Sequence, residues 1–347
     1  MPELSVVIPS YNHASFIARA VGSVLDQSFK DLELIVVDDG STDDSLRILA
    51  GFHDPRLRVI SQENCGAHAA INRGLAETSG TYLTILNSDD EYRLDRFEKL
   101  LPVLGADKEI GLIGSYIVVI DTAGKTLGIK HGYKDLEPWL LEVPERSFRA
   151  GEDLRVAVLT ENYWSTTSNF LFSRKWYERV GEFRGLRFAH DWDFALRMAR
   201  QAKLALNPEP LVRYRIHGGN TIRENQGEMI FEICWCLAVH LPQHVADRSF
   251  FEQVPLDARV DQILHSIYVF GCERVLSVML LQNLAQNTEQ ALQLLKPGDP
   301  TRRKYLEYIQ AVLAKPVAET VQQPVGSHGS IIGRLLKLAK RTLHLSI

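Results

Sequence analysis

Polar residues cluster at three places in the first 90 residues, each directly after a short apolar run. The clusters are residues 9–12 (Pro-Ser-Tyr-Asn), 38–43 (Asp-Asp-Gly-Ser-Thr-Asp) and 87–90 (Asn-Ser-Asp-Asp). The glycine-rich loops that cradle phosphates, G-x-G-x-x-G and G-x-x-x-x-G-K-[ST], do not occur in the sequence. Carboxylates at these positions instead suggest contacts to a ribose or a base, and a divalent cation that neutralises a substrate diphosphate.

The elements that must position these clusters alternate between strands and helices. Continuous apolar runs are typical of strands buried on both faces, and helical patterns separate them. This alternation predicts βαβ units and an α/β fold with a doubly wound, mostly parallel sheet, whose ligands bind beyond the carboxyl ends of the strands. The predicted strands lie at 4–8, 32–37, 57–60 and 82–86, residues 111–121 and 125–130 predict a hairpin, and residues 211–216 predict the last strand.

Four segments, in order, resemble family 2 glycosyltransferases, a large family of inverting nucleotide-sugar transferases. They read VVIPSYNHASFIARAVGSVLDQSFKDLELIVVDDGSTDDS, ENCGAHAAINRGLAETSGTYLTILNSDD, HDWDFALRMA and VRYRIHGGNT. The resemblance covers roughly residues 4–222. It implies a GT-A catalytic domain over 1–222, with a nucleotide-binding half over about 1–120 and an acceptor half over about 121–222.

The resemblance also assigns nucleotide contacts. Tyr11 would stack on the base with Pro9 beside it, and Asp39 would accept a hydrogen bond from the base. Asn87 and Asp89 would contact the ribose and the diphosphate, because residues 87–90 stand where the family has its D-x-D motif. Asn87 departs from that motif, since an amide keeps an oxygen for a ribose hydroxyl but carries no charge.

The same resemblance implies a metal cofactor, Mn²⁺ or Mg²⁺, that bridges the diphosphate. Its expected ligands are Asp89, Asp90 and His217, and which of the two aspartates binds directly stays open. His217 follows the last predicted strand, and a neutral imidazole is a plausible third ligand. The other ten histidines show no ligand pattern.

Asp191 matches the acidic position of the family's E-D motif, in which His190 here replaces the glutamate. The resemblance makes Asp191 the general base, because inversion requires the acceptor hydroxyl to lose its proton on the face opposite the leaving diphosphate. The competing interpretation is an ordinary acidic residue in the first turn of a helix. Asp193, two residues further on, fits a structural role better than a chemical one.

Composition excludes several classes of function. The formal charge is −4 and the pI is near 6.3, so no basic field is available for nucleic acid. The four cysteines lack the paired spacing of a zinc site and indicate a reducing compartment. With no signal-peptide pattern and no apolar stretch of membrane-spanning length, the sequence predicts a cytoplasmic protein, with peripheral contact to the inner membrane face as a further option.

Beyond residue 223 the pattern is helical. We expect a helical domain over 223–315, which could also support a homo-oligomer, a linker over 316–330, and a basic amphipathic helix over 331–347. The last segment carries four lysines and arginines and no acidic side chain. That pattern is typical of a helix on an anionic membrane surface, and packing on the protein or on a second subunit is the alternative.

The predicted function is therefore inverting transfer of a sugar to a hydroxyl acceptor. A UDP-sugar is the default donor by family frequency, and a saccharide or lipid-linked saccharide in surface polysaccharide or lipopolysaccharide assembly is the expected acceptor. A catalytically impaired nucleotide-sugar-binding module on the same fold is the alternative, because Asn87 and Ile71 depart from the family pattern. A sugar nucleotidyltransferase would need a glycine-rich, arginine-containing loop after the first strand, and residues 9–12 do not provide it.

Overall fold

A computed structural model describes residues 1–130, 154–160, 162, 164–219, 225–246, 269 and 271–314. The strands in this part are β1 (Leu4–Ser10), β2 (Leu32–Asp38), β3 (Leu57–Ser61), β4 (Tyr82–Ile85), β5 (Glu91–Tyr92), β6 (Ile110–Ile120), β7 (Thr126–Lys130), β8 (Leu171–Ser173) and β9 (Lys203–Arg215). The helices are α1 (Ile17–Leu25), α2 (Ser45–Leu49), α3 (Ala67–Ala76), α4 (Arg96–Ala106), α5 (Leu154–Thr160), α6 (Arg174–Val180), α7 (His190–Ala199), α8 (Gln226–Ala246), α9 (Glu273–Leu281), α10 (Thr288–Gln293) and α11 (Pro300–Leu313).

The strands form one sheet in the order β3-β2-β1-β4-β8-β6-β9-β5, with β7 paired to β6. The first four strands are parallel, as the apolar runs predict. Beyond β4 the sheet is mixed, because β8 runs antiparallel to both of its neighbours while β6 and β9 are parallel. The predicted hairpin is present as β6 and β7. The α/β class is thus confirmed: β1 to β4 form one parallel part of the sheet, and β6 and β9 form a second parallel pair beyond β8.

The described C-terminal helices share a hydrophobic core with the α/β part. One cluster of buried side chains extends from Val7 and Ile71 under the sheet to Phe194 on α7, Trp235 on α8 and Ile309 on α11. The described parts of 223–315 are largely helical, as predicted, and α8 packs on α7. The predicted boundaries of the helical domain stay predictions.

The predicted linker over 316–330 and the predicted amphipathic helix over 331–347 lie outside the described residues. Within the described part of the chain, no helix combines the length and the hydropathy that a membrane span requires.

Candidate active site

The three polar clusters meet at one edge of the sheet, because each follows the carboxyl end of a parallel strand. Ser10 at the end of β1 pairs with Asp38 at the end of β2, and Val7 pairs with Ile85 at the end of β4. Residues 87–90 and residues 9–12 therefore lie at the same edge of the sheet, which is called the ligand-binding rim below. This is the position at which open α/β sheets bind ligands.

Asp89, His217 and His13 converge at this rim. His217 Nε2 lies 2.9 Å from Asp89 Oδ2, and one donor atom from each of the three residues lies within 4.8 Å of the others. His13 Nδ1 is 2.6 Å from Ser88 Oγ, and the ring of Phe16 lies 4.9 Å from that of His217. The structure thus brings together two predicted residues, Asp89 and His217, and adds His13, which the sequence analysis did not single out.

The chemistry of this donor set fits a divalent transition metal. Burial lowers the pKa of His13, and Asp89 opposes that shift only in part. The neutral imidazole, which is the form that binds a metal, is therefore favoured near pH 7. A carboxylate and two imidazoles suit Mn²⁺ better than Mg²⁺, which prefers oxygen ligands throughout.

Asp90 lies in a different environment from its neighbour. Its carboxylate is 1% exposed and accepts hydrogen bonds from Ser168 Oγ at 2.6 Å and from the backbone N–H of Arg215 at 2.9 Å. Burial and the adjacent charge of Asp89 raise the pKa of Asp90 well above its usual range. The fully buried Arg215 also pairs with Glu91 and donates to the carbonyl of Asp89. Asp90 thus anchors the turn to β9.

Asn87 uses both atoms of its amide in contacts with one segment. Its Nδ2 donates to Thr166 Oγ1 at 3.0 Å, and its Oδ1 accepts from Thr167 Oγ1 at 2.8 Å. Its backbone N–H donates to Ser168 Oγ at 2.9 Å. Asn87, which stands where the family motif has an aspartate, is therefore held in place through its side chain.

The expected base-binding residues lie on the loops after β1 and β2. Asp39 is buried and accepts hydrogen bonds from Gln62 Nε2 at 2.7 Å and from the backbone N–H groups of Cys65 and Gly66 at 2.9 and 2.8 Å. These bonds fix the loop between β3 and α3. Pro9 is buried in β1, whereas the side chain of Tyr11 is 46% exposed and offers a ring face to a ligand.

Asp191 stands in the first turn of α7 and is 7% exposed. Its Oδ2 accepts from Asn162 Nδ2 at 2.7 Å, and its Oδ1 accepts from the backbone N–H of Trp192 at 2.7 Å. Near Asn162, Ser165 adopts a left-handed backbone with φ 64°. Non-glycine residues rarely take this conformation, and where they do it often marks a functional site.

Asp193 faces away from the rim and is fully buried. Arg184, Arg197 and His240 contact its carboxylate at 2.9, 2.9 and 2.8 Å. Burial alone would raise the pKa of Asp193, but Arg197, His240 and Arg184 hold it well below its usual range. The residue ties α7 to α8, in keeping with the structural role predicted for it.

Sequence reasoning missed His13 and Asn162. A histidine two residues after Tyr11, at the carboxyl end of β1, was a usable signal, because that position falls on the ligand-binding rim. Asn162 lies in a segment to which the sequence assigned no element, and its contact with Asp191 spans 29 residues. No local pattern indicates such a contact.

Comparisons with known proteins locate the chain among its relatives. The profile described as "Glycosyl transferase family 2" matches residues 5–181, just over half of the 347 residues. The chain is similar to an uncharacterized glycosyltransferase of Nostoc sp., with 28% identity over 226 residues, which are 63% of this chain and 66% of that protein. It is also similar to a chondroitin synthase of Escherichia coli, with 34% identity over 172 residues, which are 49% of this chain and 24% of that protein.

Solved structures share the fold. A mannosyltransferase from Pyrobaculum calidifontis, in complex with GDP-Man and Mn²⁺, matches with a TM-score of 0.53 and 16% identity over 90% of this chain and 86% of that one. At this identity the likeness concerns the fold alone, and it confirms the predicted GT-A architecture. The matched region spans just under two thirds of the Nostoc relative and about a quarter of the chondroitin synthase.

Proposed function

The chain belongs to glycosyl transferase family 2, as its sequence predicts, and we propose that it transfers a sugar from a nucleotide-diphosphate donor to a hydroxyl acceptor with inversion at the anomeric carbon. The group of His13, Asp89 and His217 at the ligand-binding rim carries this proposal. A site for a divalent cation beside a base-stacking tyrosine is what a nucleotide-diphosphate substrate requires.

Asp89 and His217 would hold the metal, with His13 as a third ligand from β1. When bound there, Mn²⁺ or Mg²⁺ supplies positive charge that offsets the diphosphate leaving group. Asp90 then acts as an anchor for the turn, because its two oxygens already accept from Ser168 and Arg215. Of the two aspartates, Asp89 is thus our candidate for the direct ligand.

Tyr11 and Asp39 would bind the nucleotide base. The exposed ring of Tyr11 can stack on a base, and Pro9 fixes the strand end from which it projects. Three of the roughly four lone-pair directions of the Asp39 carboxylate are used by the loop after β3, which leaves one for a ring N–H. Asn87 would orient the ribose from its anchored position.

Asp191 would be the general base. Hydrogen bonds from Asn162 and from the Trp192 backbone each occupy one oxygen of its carboxylate, and the lone pairs that remain can take the proton of the acceptor hydroxyl. They also fix the direction of the carboxylate, so that its remaining lone pairs can meet the hydroxyl in one orientation.

The donor is a UDP-sugar by family frequency, and a GDP-sugar is the second candidate, since the similar mannosyltransferase is in complex with GDP-Man. A saccharide or lipid-linked saccharide acceptor in surface polysaccharide assembly is supported by the similarity to a chondroitin synthase.

We further propose a cytoplasmic enzyme that meets the membrane through 331–347. The alternatives are that this segment packs on the protein and that the helical region forms a homo-oligomer.

A panel of sugar nucleotides tests the proposal. UDP-GlcNAc, UDP-glucose and GDP-mannose are incubated with the full chain and Mn²⁺, and release of nucleoside diphosphate is measured with and without EDTA. We expect hydrolysis of at least one donor and its loss in EDTA. Full hydrolysis in EDTA would refute the metal site. Donor binding by calorimetry, with no hydrolysis and no transfer to saccharides, would favour the impaired binding module.

A further inference from the structure

The N-terminus of α7 lacks a capping residue of its own. Its N-cap is Ala189, whose side chain accepts no hydrogen bond, and alanine is among the poorest residues at that position. The backbone N–H groups of residues 187–189, just before the helix, lie out of reach of any N-cap side chain and also need acceptors. This stretch leads directly into Asp191, the proposed general base.

Glu232 on α8 supplies these acceptors. Its Oε1 accepts from the N–H of Arg187 at 2.8 Å, and its Oε2 accepts from the N–H groups of Phe188 and Ala189 at 2.7 and 3.0 Å. The side chain is 2% exposed. One carboxylate from the helical region thus takes three consecutive backbone donors that precede the base.

Burial of this carboxylate is costly, and the pKa of Glu232 is raised by burial although three N–H donors oppose the shift. An apolar residue at position 232 would avoid the cost of burying a charge but would leave three N–H groups without acceptors. The negative charge also faces the positive end of the α7 dipole. Glu232 therefore fixes the path of 187–189 more tightly than an apolar contact would.

A second contact from α8 reinforces the first. His240, two turns after Glu232, contacts Asp193 through Nε2 at 2.8 Å. The two contacts lie on either side of Asp191 along the chain, one before α7 begins and one in its first turn. The base is thereby held between two points of α8.

We propose that Glu232 is a positioning residue for Asp191, through which the helical region sets the place of the base against the acceptor hydroxyl. This inference rests on the proposed function, because it takes Asp191 as the base. The proposal extends the catalytic unit beyond the predicted boundary at residue 222, because residues of α8 hold the first turn of α7 and the stretch before it in place.

The test uses Glu232→Gln in the full chain, with Asp299→Asn as a matched control. Asp299 also lies in the helical region, is 8% exposed and accepts from two backbone N–H groups, those of Thr301 and Arg302, at the start of α11. Both variants replace a capping carboxylate by its amide, but only Glu232 touches the approach to α7. Both can therefore lose stability, and only Glu232→Gln should misplace Asp191.

Hydrogen exchange followed by mass spectrometry needs no substrate. We expect the amides of 187–189 to exchange at least about tenfold faster in Glu232→Gln than in the native chain, with 301–302 unchanged. In Asp299→Asn we expect no such change at either segment, because one oxygen of Asp299 accepts both N–H groups and asparagine keeps that oxygen. Equal acceleration everywhere, or none at 187–189, would overturn the positioning role.

Turnover of the donor identified by the panel supplies the second measurement. We expect Glu232→Gln to lower kcat about 10- to 100-fold with the donor Kd unchanged, and Asp299→Asn to stay within about twofold of the native rate. In the Asp191→Asn background, Glu232→Gln should have little further effect, because it acts through that carboxylate. A full additional loss there, or an unchanged kcat in the single variant, would overturn the inference. Native-like turnover of Asp191→Asn alone would instead refute the proposed base.

Discussion

The neighbouring carboxylates Asp89 and Asp90 should respond differently to the same isosteric change. Asp89→Asn removes a charge next to His217 and His13, whereas Asp90→Asn changes a buried anchor. We expect Asp89→Asn to weaken Mn²⁺ binding strongly and to leave the fold intact. Asp90→Asn should leave Mn²⁺ binding nearly unchanged, because the amide oxygen still accepts from the N–H of Arg215.

The size of the first effect follows from the donor distances. An ion placed among three atoms that lie within 4.8 Å of one another is within about 2.8 Å of each. At that distance a unit charge and a divalent ion interact by about 3 kcal/mol, even with the dielectric constant of water. Loss of the Asp89 charge therefore lowers Mn²⁺ affinity by roughly 100-fold. For Asp90→Asn, rearrangement of one or two hydrogen bonds changes the free energy of unfolding by about 1 kcal/mol.

Calorimetric titration of the full chain with MnCl₂, without nucleotide, measures the affinity, and thermal unfolding reports whether each variant is folded. His68→Asn serves as a further control, since it removes an imidazole that the structure does not assign to the metal group. If Asp90→Asn loses as much affinity as Asp89→Asn while its Tm is native, the assignment of the direct ligand is wrong. If neither variant changes the affinity, the metal site lies elsewhere.

Three other predictions concern the base, the α7 network and the C-terminal segment. Asp191→Asn should keep donor binding and lower kcat by roughly 10²–10⁴, and the product should have inverted anomeric configuration by NMR; retention would contradict it. Asp193→Asn should cost about 3–5 kcal/mol at pH 7 in urea unfolding, because the buried guanidinium of Arg197 loses the carboxylate that balances its charge. Since the pKa of Asp193 is lowered in the folded state, its stabilisation is present above the ordinary carboxyl pKa and is lost as the pH falls. The difference in free energy of unfolding between the native chain and Asp193→Asn should therefore become smaller below about pH 4. A difference that does not change with pH would contradict this prediction. Deletion of 331–347 should release the full chain from phosphatidylglycerol vesicles at low salt and shift Tm by only a few degrees; failure of the full chain to cosediment would indicate packing instead.

The centre of the parallel half of the sheet could be predicted from sequence because β1, β2 and β4 are buried on both faces. Continuous apolar runs at β1, β2 and β4 mark their own ends, and the polar residues that follow must then lie at the carboxyl edge. In the mixed half the sequence predicted the hairpin of β6 and β7 but not the pairing of β8. β8 is only three residues long and joins the sheet antiparallel to both neighbours, a pairing that depends on tertiary contacts rather than on periodicity.

The distinction between Asp89 and Asp90 also lay beyond the sequence. Two adjacent residues in a turn point in different directions, and only the partners show which one faces the rim. Asp90 meets the backbone of Arg215, 125 residues away, and Asp89 meets His217, 128 residues away. Spacing along the chain carries no information about contacts of this length, and the resemblance to the family named both aspartates as candidates without separating them.

The structure gives a physical reason for the departure at Asn87. Its amide donates to Thr166 and accepts from Thr167, and an aspartate in the same place could only accept. The segment that receives Asn87 also contains Asn162, which holds Asp191. The amide of Asn87 therefore links the proposed donor-binding residues to the segment that orients the proposed base. The amide at position 87 thus has a structural explanation that does not depend on a loss of catalysis.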